Sequence, residues 1–160
     1  MKYKDGFECD KKAKQQLKSL IENNWFSSCT IVYDKENDKN PKARIDVIFT
    51  AITKSNKEYK YAIEIKDRMG YNHNQYDWMI EPHKYKTLQS YQYDSGYTSA
   101  YFNTFKDNIY ALWTFKDMEQ CKYEDSVYAT KTTQGNDTVK YNKQSYLLPF
   151  NNATLTGYTI

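Results

Sequence analysis

The sequence predicts an α/β fold in which a helix precedes three strands and a second helix precedes two more. Apolar residues recur at helical spacing in two segments, while segments rich in β-branched and aromatic residues alternate with polar turns. At 160 residues, the chain is long enough for one domain with its own core. We expect a single domain over residues 1–160, with a core over about 8–115 and an extension over about 118–160.

The first helix is predicted from Glu8 or Asp10 to Asn23, where a pair of asparagines ends the segment. Asp10 is predicted as the N-cap because its carboxylate can accept a hydrogen bond from the first helical turn. The apolar stripe of this helix consists of Ala13, Leu17, Leu20 and Ile21. The second helix is predicted from Pro82, which suits a first helical turn, to Tyr93.

The predicted strands share a high content of β-branched and aromatic residues. They cover residues 29–33, 43–52, 58–66, 99–105 and 108–115. Polar loops are predicted over residues 34–42 and 67–82. In the extension, residues 126–132 and 138–143 are predicted to form a β-hairpin, and the apolar segment 146–150 is expected to dock on the core.

Charged residues interrupt the apolar pattern of the hairpin formed by residues 43–52 and 58–66. Successive side chains of a strand point to opposite faces. The face predicted to be core carries Ile45, Val47, Phe49, Tyr61, Ile63 and Ile65. The opposite face carries Asp46 on one strand and Glu64 and Lys66 on the other. These three side chains are expected to converge when the two strands pair in the right register.

Two neighbouring carboxylates repel each other, and each disfavours the ionisation of the other. A hard divalent cation relieves this repulsion, and Mg2+ is typically held by one or two carboxylates together with water and phosphate oxygens. Asp46 and Glu64 therefore predict a Mg2+ site. The alternative is a solvated sheet face on which Asp46 pairs with Lys66, and Glu64 with Arg44 or Lys60, in surface ion pairs worth roughly 0–1 kcal/mol.

Asp46 on one strand and Glu64-Ile65-Lys66 on the next resemble the motif of the PD-(D/E)xK nuclease superfamily. Ile45 stands where that motif has a proline, and Pro41 lies a few residues upstream. The resemblance implies a restriction-endonuclease-like αβββαβ core, similar to that of Holliday junction resolvases, with a mixed central sheet flanked by helices and the β-hairpin as an extension. It also implies an enzyme that hydrolyses phosphodiester bonds of DNA with Mg2+, for which Mn2+ substitutes.

The resemblance further implies a role for each site residue. Asp46, Glu64 and the backbone carbonyl of Ile65 would bind the metal. Lys66 would orient the attacking water or stabilise the charge that develops on phosphorus. Further contacts to metal or substrate are expected from Glu8, with Glu22 as its competitor, and from Lys84 and Gln89. The resemblance thus implies a Mg2+-dependent deoxyribonuclease whose catalytic residues are Asp46, Glu64 and Lys66.

Two interpretations compete with an enzyme. One is a nucleic-acid-binding or phage assembly protein that keeps the nuclease fold without turnover, which a Mg2+ binding isotherm distinguishes from an enzyme. The other is an interaction protein whose tyrosines, 17 in all, form an oligomer interface, which a mass measurement in solution tests. The sequence does not choose between DNA and RNA, or between a monomer and a homodimer.

The composition limits which nucleic-acid surfaces, metal sites and disulfides the chain can form. Lys plus Arg exceed Asp plus Glu by 23 to 20, so any nucleic-acid surface must be a local basic patch. Cys9, Cys29 and Cys121 are too widely separated to indicate a zinc site or a disulfide framework, and neither His73 nor His83 has a partner at ligand spacing.

The hydropathy of the chain predicts a cytoplasmic protein with no membrane partner, because no apolar run is long enough to cross a bilayer. Abundant Lys, Asn and Tyr, together with the small size of the chain, favour a phage origin and hence the cytoplasm of a host cell.

Overall fold

A computed structural model describes the backbone of residues 3–40, 42–130 and 140–159 and the side chains of residues 10–40, 42–123 and 145–159. The helices are α1 (Tyr3–Leu20), α2 (Lys35–Lys39), α3 (Pro82–Tyr93) and α4 (Phe115–Met118), with a π-helical turn over Ile21–Trp25 and a 3-10 turn over Phe150–Asn152. The strands are β1 (Thr30–Tyr33), β2 (Val47–Ile52), β3 (Glu58–Arg68), β4 (Trp78–Ile80), β5 (Thr98–Phe105), β6 (Ile109–Thr114), β7 (Lys122–Thr130), β8 (Lys140–Leu148) and β9 (Leu155–Tyr158).

A six-stranded sheet in the order β1-β2-β3-β5-β6-β9 forms the centre of the molecule. Strands β3 and β5 run parallel, and all other neighbours in this sheet are antiparallel. The connection between the parallel pair contains α3, as a parallel crossover requires. The predicted α/β class, with a mixed central sheet and helices packed on it, is confirmed.

Each face of the central sheet carries its own apolar cluster. The cluster beneath α1 includes Ala13, Leu17, Val47, Phe49, Ile63, Ile65 and Phe102. The cluster beneath α3 includes Ile48, Ala62, Leu88, Tyr101, Trp113 and Leu148. These two sets confirm the predicted alternation along β2 and β3 from Val47 onward.

The alternation fails at Ile45, which packs in the cluster beneath α3 and not with Val47 and Phe49. The reason is that residues 44–46 form a bend and β2 begins only at Val47. The predicted strand over residues 43–52 was therefore too long at its start. This bend also sets the direction in which Asp46 leaves the backbone.

The first helix begins earlier than the sequence predicted, at Tyr3, so Asp10 lies within α1 and is not its N-cap. Helical structure also continues past the asparagine pair. In the π-helical turn over Ile21–Trp25, the N–H of Phe26 donates to the carbonyl of Ile21 at 2.9 Å. The extra residue in this turn keeps the chain helical where the asparagines were expected to end it.

Two short strands were not predicted. Strand β4 lies in the expected loop 67–82 and pairs with β8, while β9 pairs with β6 at the edge of the central sheet. The expected hairpin is present as β7 and β8, whose antiparallel pairing extends to Leu147. Its predicted turn falls in residues 131–139, outside the described part of the chain. None of the described helices combines the length and apolar character that crossing a membrane requires.

Candidate active site

Strand β3 extends beyond its partner β2. The pairing of β2 with β3 ends at Val47 opposite Ile63, whereas β5 accompanies β3 as far as Arg68. Over residues 64–68, the described strands therefore pair with only one side of β3. The other side is left open to side chains and ligands.

Asp46 occupies the open side of β3. Its Oδ2 accepts a hydrogen bond of 2.8 Å from the backbone N–H of Ile65. The N–H and carbonyl of one strand residue point toward the same neighbour, so the carbonyl of Ile65 faces the same side as Asp46. The bend before β2 thus brings together the predicted metal ligands Asp46 and Ile65.

Glu64 is the third predicted metal ligand, and it is buried, with only 6 % of its surface exposed. Its Oε1 lies 2.5 Å from the ammonium of Lys84, and its carboxyl is within hydrogen-bonding range of the Asp46 carboxyl. Burial, followed by the charge of Asp46, raises the pKa of Glu64 to about 7, although Lys84 opposes both effects. The alternative of a solvated sheet face with Glu64 paired to Arg44 or Lys60 is therefore wrong.

Lys84 is brought to the site by the first turn of α3, which begins at Pro82 and packs against β3 and β5. Burial alone lowers the pKa of Lys84, but its interactions with Glu64, Tyr101 and Asp46 outweigh burial, so that the pKa is raised. Lys84 therefore stays charged and supplies the cation that partly balances the two carboxylates.

Lys66 lies two residues beyond Glu64 on the same face of β3 and is partly buried. Its pKa is lowered to about 8, first by burial and then by the charges of Arg68 and Lys84, while Asp10 and Glu81 act in the opposite direction. An amine with a pKa near 8 exchanges its proton readily at neutral pH.

Asp10 of α1 interacts electrostatically with the candidate site, although the sequence predicted it as the N-cap of the helix. Its pKa is raised because surrounding protein displaces water from its carboxyl, and it interacts electrostatically with Lys66, Asp46 and Lys84. Asp10 is itself exposed, but it lies three residues before Ala13 and seven before Leu17 and therefore on the side of α1 that carries the buried stripe. A charged residue in line with an apolar stripe was the signal that could have identified it.

Of the other predicted accessory residues, Glu22 and Gln89 lie away from this cluster. The side chain of Glu8 lies outside the described part, although its backbone belongs to α1. Glu22 accepts a 2.9 Å hydrogen bond from the hydroxyl of Tyr33 at the edge strand β1. Gln89 is exposed, and the helical repeat places it about 140° around α3 from Lys84.

The donor set at the open side of β3 has the chemistry that Mg2+ prefers. Asp46, Glu64 and the carbonyl of Ile65 offer only hard oxygen atoms, and the remaining coordination positions of Mg2+ are commonly filled by water and phosphate. Among the described residues, no group of three or more His, Cys, Asp or Glu side chains could hold a metal by itself. A metal here would accordingly depend on two carboxylates, one carbonyl and its own water.

Comparison with known proteins found a similarity to a solved structure. No family model matches the sequence, and no curated protein matches it. Among solved structures, the chain is similar to the Holliday junction resolvase Hjc of Archaeoglobus fulgidus, with a TM-score of 0.48 and 10 % identity over 92 % of this chain and 91 % of that chain.

Proposed function

We propose that this protein is a metal-dependent nuclease that hydrolyses phosphodiester bonds of DNA at the open side of β3. The observation that carries the proposal is the meeting of the Asp46 and Glu64 carboxyls, one of them buried with a pKa near 7. Bringing two carboxylates together without a cation is unfavourable. A site that keeps them together is therefore suited to bind a divalent metal.

Asp46, Glu64 and the carbonyl of Ile65 would hold Mg2+ or Mn2+, which polarises a phosphoryl oxygen and lowers the pKa of a bound water. Lys66 orients the attacking water and accepts its proton, a role for which its lowered pKa is suited. Lys84, whose ammonium lies 2.5 Å from Glu64, would be available to a phosphate oxygen once Glu64 binds the metal. Asp10 positions Lys66 through its charge. The cytoplasmic location, the phage origin and the choice between monomer and homodimer remain expectations from the sequence.

The test is cleavage of labelled single-stranded, duplex and branched DNA in Mg2+, Mn2+ or EDTA. We expect cleavage that needs the metal and that falls by more than about 100-fold in Asp46→Ala, because losing a metal ligand removes several kcal/mol of charge stabilisation. Cleavage in EDTA, or cleavage by Asp46→Ala at the wild-type rate, would contradict the proposal.

The ion pair of Lys84 with Glu64 favours a second candidate, a nucleic-acid-binding protein without turnover. In that protein the ammonium takes the place of the metal permanently. Calorimetric titration with Mg2+ distinguishes the two candidates. A nuclease binds the metal through Glu64, whereas the silent protein gives no heat of binding and no cleavage of any DNA.

A further inference from the structure

A second concave site lies beside the end of β3. It is a pocket of about 410 Å3 between the loop that follows β3 and the 3-10 turn at Phe150–Asn152. Three of its lining side chains are rings, from His73, Tyr76 and Phe150. Three others are amides, from Asn74, Gln75 and Asn151. None of these residues has a role in the proposed metal site.

The loop that forms this pocket is fixed at several points. The N–H of Tyr71 donates to the carbonyl of Arg68 at 2.9 Å, and the indole N–H of Trp78 donates to the carbonyl of His73 at 3.0 Å. The ring of His73 is held by Asp107, with 2.5 Å between Nδ1 and Oδ2. The pocket is therefore preorganised, which reduces the entropy lost when a ligand binds.

Tyr76 lines the pocket, and the ring of Tyr71 packs against it from outside the lining. Tyr76 is 59 % exposed and Tyr71 is 45 % exposed, and their ring centroids lie 5.4 Å apart. Both rings also contact Trp78, which is itself buried. Exposed tyrosine rings supported from beneath by a buried indole are suited to stack on a flat ligand.

The charge of the pocket selects against a phosphate. Its described lining contains no lysine or arginine, and its acidic member is Asp77. Rings and amides together match a nucleobase, which stacks on an aromatic face and exchanges hydrogen bonds along its edge. A base can use that edge in this way only when it is unpaired.

The pocket is also close enough to the metal site to share one substrate. Arg68 lies about 13 Å along β3 from Glu64 at the usual strand rise. Its guanidinium lies 5.7 Å from the ring centroid of Trp78. Trp78 in turn contacts the rings of Tyr71 and Tyr76. A nucleic acid whose phosphate lies at Glu64 could thus place a base a few nucleotides away at Tyr76.

We propose that this pocket binds an unpaired nucleobase, so that the substrate class is single-stranded DNA or the single-stranded part of a branched DNA. The substrate class rests on the proposed nuclease function, whereas the binding of an unpaired base by the pocket can be tested without cleavage. Tyr76 supplies the stacking surface, and the amides of Asn74, Gln75 and Asn151 supply hydrogen bonds to the base edge.

The test is binding of a short single strand that carries one 2-aminopurine, and of the matched duplex, measured by fluorescence in EDTA. We expect Tyr76→Ala to weaken single-strand binding by about 5- to 150-fold, the range for loss of one stacked base, and to leave duplex binding unchanged. Tyr76→Phe keeps the ring and should bind like the wild type. Tyr158→Ala, at a 69 % exposed tyrosine on β9, is the matched control.

Equal single-strand affinity of Tyr76→Ala and the wild type would overturn the inference, as would an equal loss in Tyr158→Ala or an equal loss of duplex binding. Because these measurements use EDTA, they do not depend on catalysis. Single-strand binding that needs Tyr76, without any Mg2+-dependent cleavage, would support the pocket and refute the nuclease. Mg2+-dependent cleavage, together with single-strand binding that Tyr76→Ala leaves unchanged, would support the nuclease and refute the pocket.

Discussion

Strand β3 carries the tripeptide pattern Glu-x-Lys twice, and the two copies differ in burial and in the groups that lie beside them. Glu58-Tyr59-Lys60 and Glu64-Ile65-Lys66 both place Glu and Lys on one face of the same strand. All three residues of the first copy are exposed, whereas Glu64 is buried and Lys66 is partly buried. The pattern alone therefore does not make a site.

The difference comes from what lies beside each copy. The first copy pairs with β2, and the ammonium of Lys60 lies 5.9 Å from the ring centroid of Tyr97. The second copy lies beyond the end of β2, where Asp46 and Lys84 take the place of a neighbouring strand. Burial and the charge of Asp46 raise the pKa of Glu64, while burial and the charges of Arg68 and Lys84 lower the pKa of Lys66. Position in the sheet thus gives one copy of a common pattern the burial and the shifted pKa values that a catalytic site requires.

Among the effects that distinguish the two copies, the largest is expected on the cleavage rate when their lysines are replaced. Lys66→Ala should reduce metal-dependent cleavage by about 10^2- to 10^4-fold, because it removes the group that handles the proton of the attacking water. Lys60→Ala should leave the rate unchanged. Single-turnover cleavage rates of both variants, with circular dichroism to confirm folding, decide the point. Equal cleavage rates in the two variants would show that Lys66 has no role in cleavage that Lys60 lacks.

The next effect is on the pH dependence of metal binding. Glu64 must lose its proton to bind Mg2+, and its pKa is raised to about 7. The observed affinity should therefore be constant above that pH and fall about tenfold for each pH unit below it, because protons compete with the metal. Calorimetric titrations across this range measure the slope.

Two variants serve as controls for that titration. Glu64→Gln should bind Mg2+ weakly and without the slope, whereas Glu58→Gln should keep both the affinity and the slope of the wild type. A wild-type affinity that is independent of pH would show that Glu64 does not bind the metal.

The smallest effect is on thermal stability. A ligand at 100 times its dissociation constant stabilises the folded state by about 2.7 kcal/mol, which corresponds to a rise in Tm of roughly 5–10 °C for a domain of this size. Mg2+ should produce that rise above the pKa of Glu64, where the carboxylate is ionised. Differential scanning fluorimetry of the wild type and of Asp46→Ala, which should show no rise, makes the measurement.

Much of the central fold follows from local patterns. Helix α3 was predicted because Pro82 suits its first turn, and β5 and β6 because β-branched and aromatic residues dominate them. The edge strand β9 has no such pattern, since its sequence is Leu-Thr-Gly-Tyr. It is a strand because the free edge of β6 offers backbone hydrogen bonds, which is a property of the assembled sheet.

The site was predictable only in part for the same reason. Alternation places Glu64 and Lys66 on one face, whereas Lys84 was expected only because of the resemblance to the nuclease superfamily. The contact of Asp46 with the backbone of Ile65 depends on a bend before β2, which residues 44–46 do not indicate by themselves. The burial that separates the two Glu-x-Lys copies depends on where β2 ends, which no tripeptide encodes.

The most direct test of the account compares Glu64→Ala with Glu58→Ala in one Mg2+-dependent DNA cleavage assay, with Glu64→Gln as a variant that keeps the shape of the side chain. We predict that both substitutions at Glu64 abolish cleavage while the folded state and single-strand binding in EDTA persist, and that Glu58→Ala cleaves like the wild type. Cleavage by folded Glu64→Ala at the wild-type rate would contradict the assignment of the active site to the open side of β3.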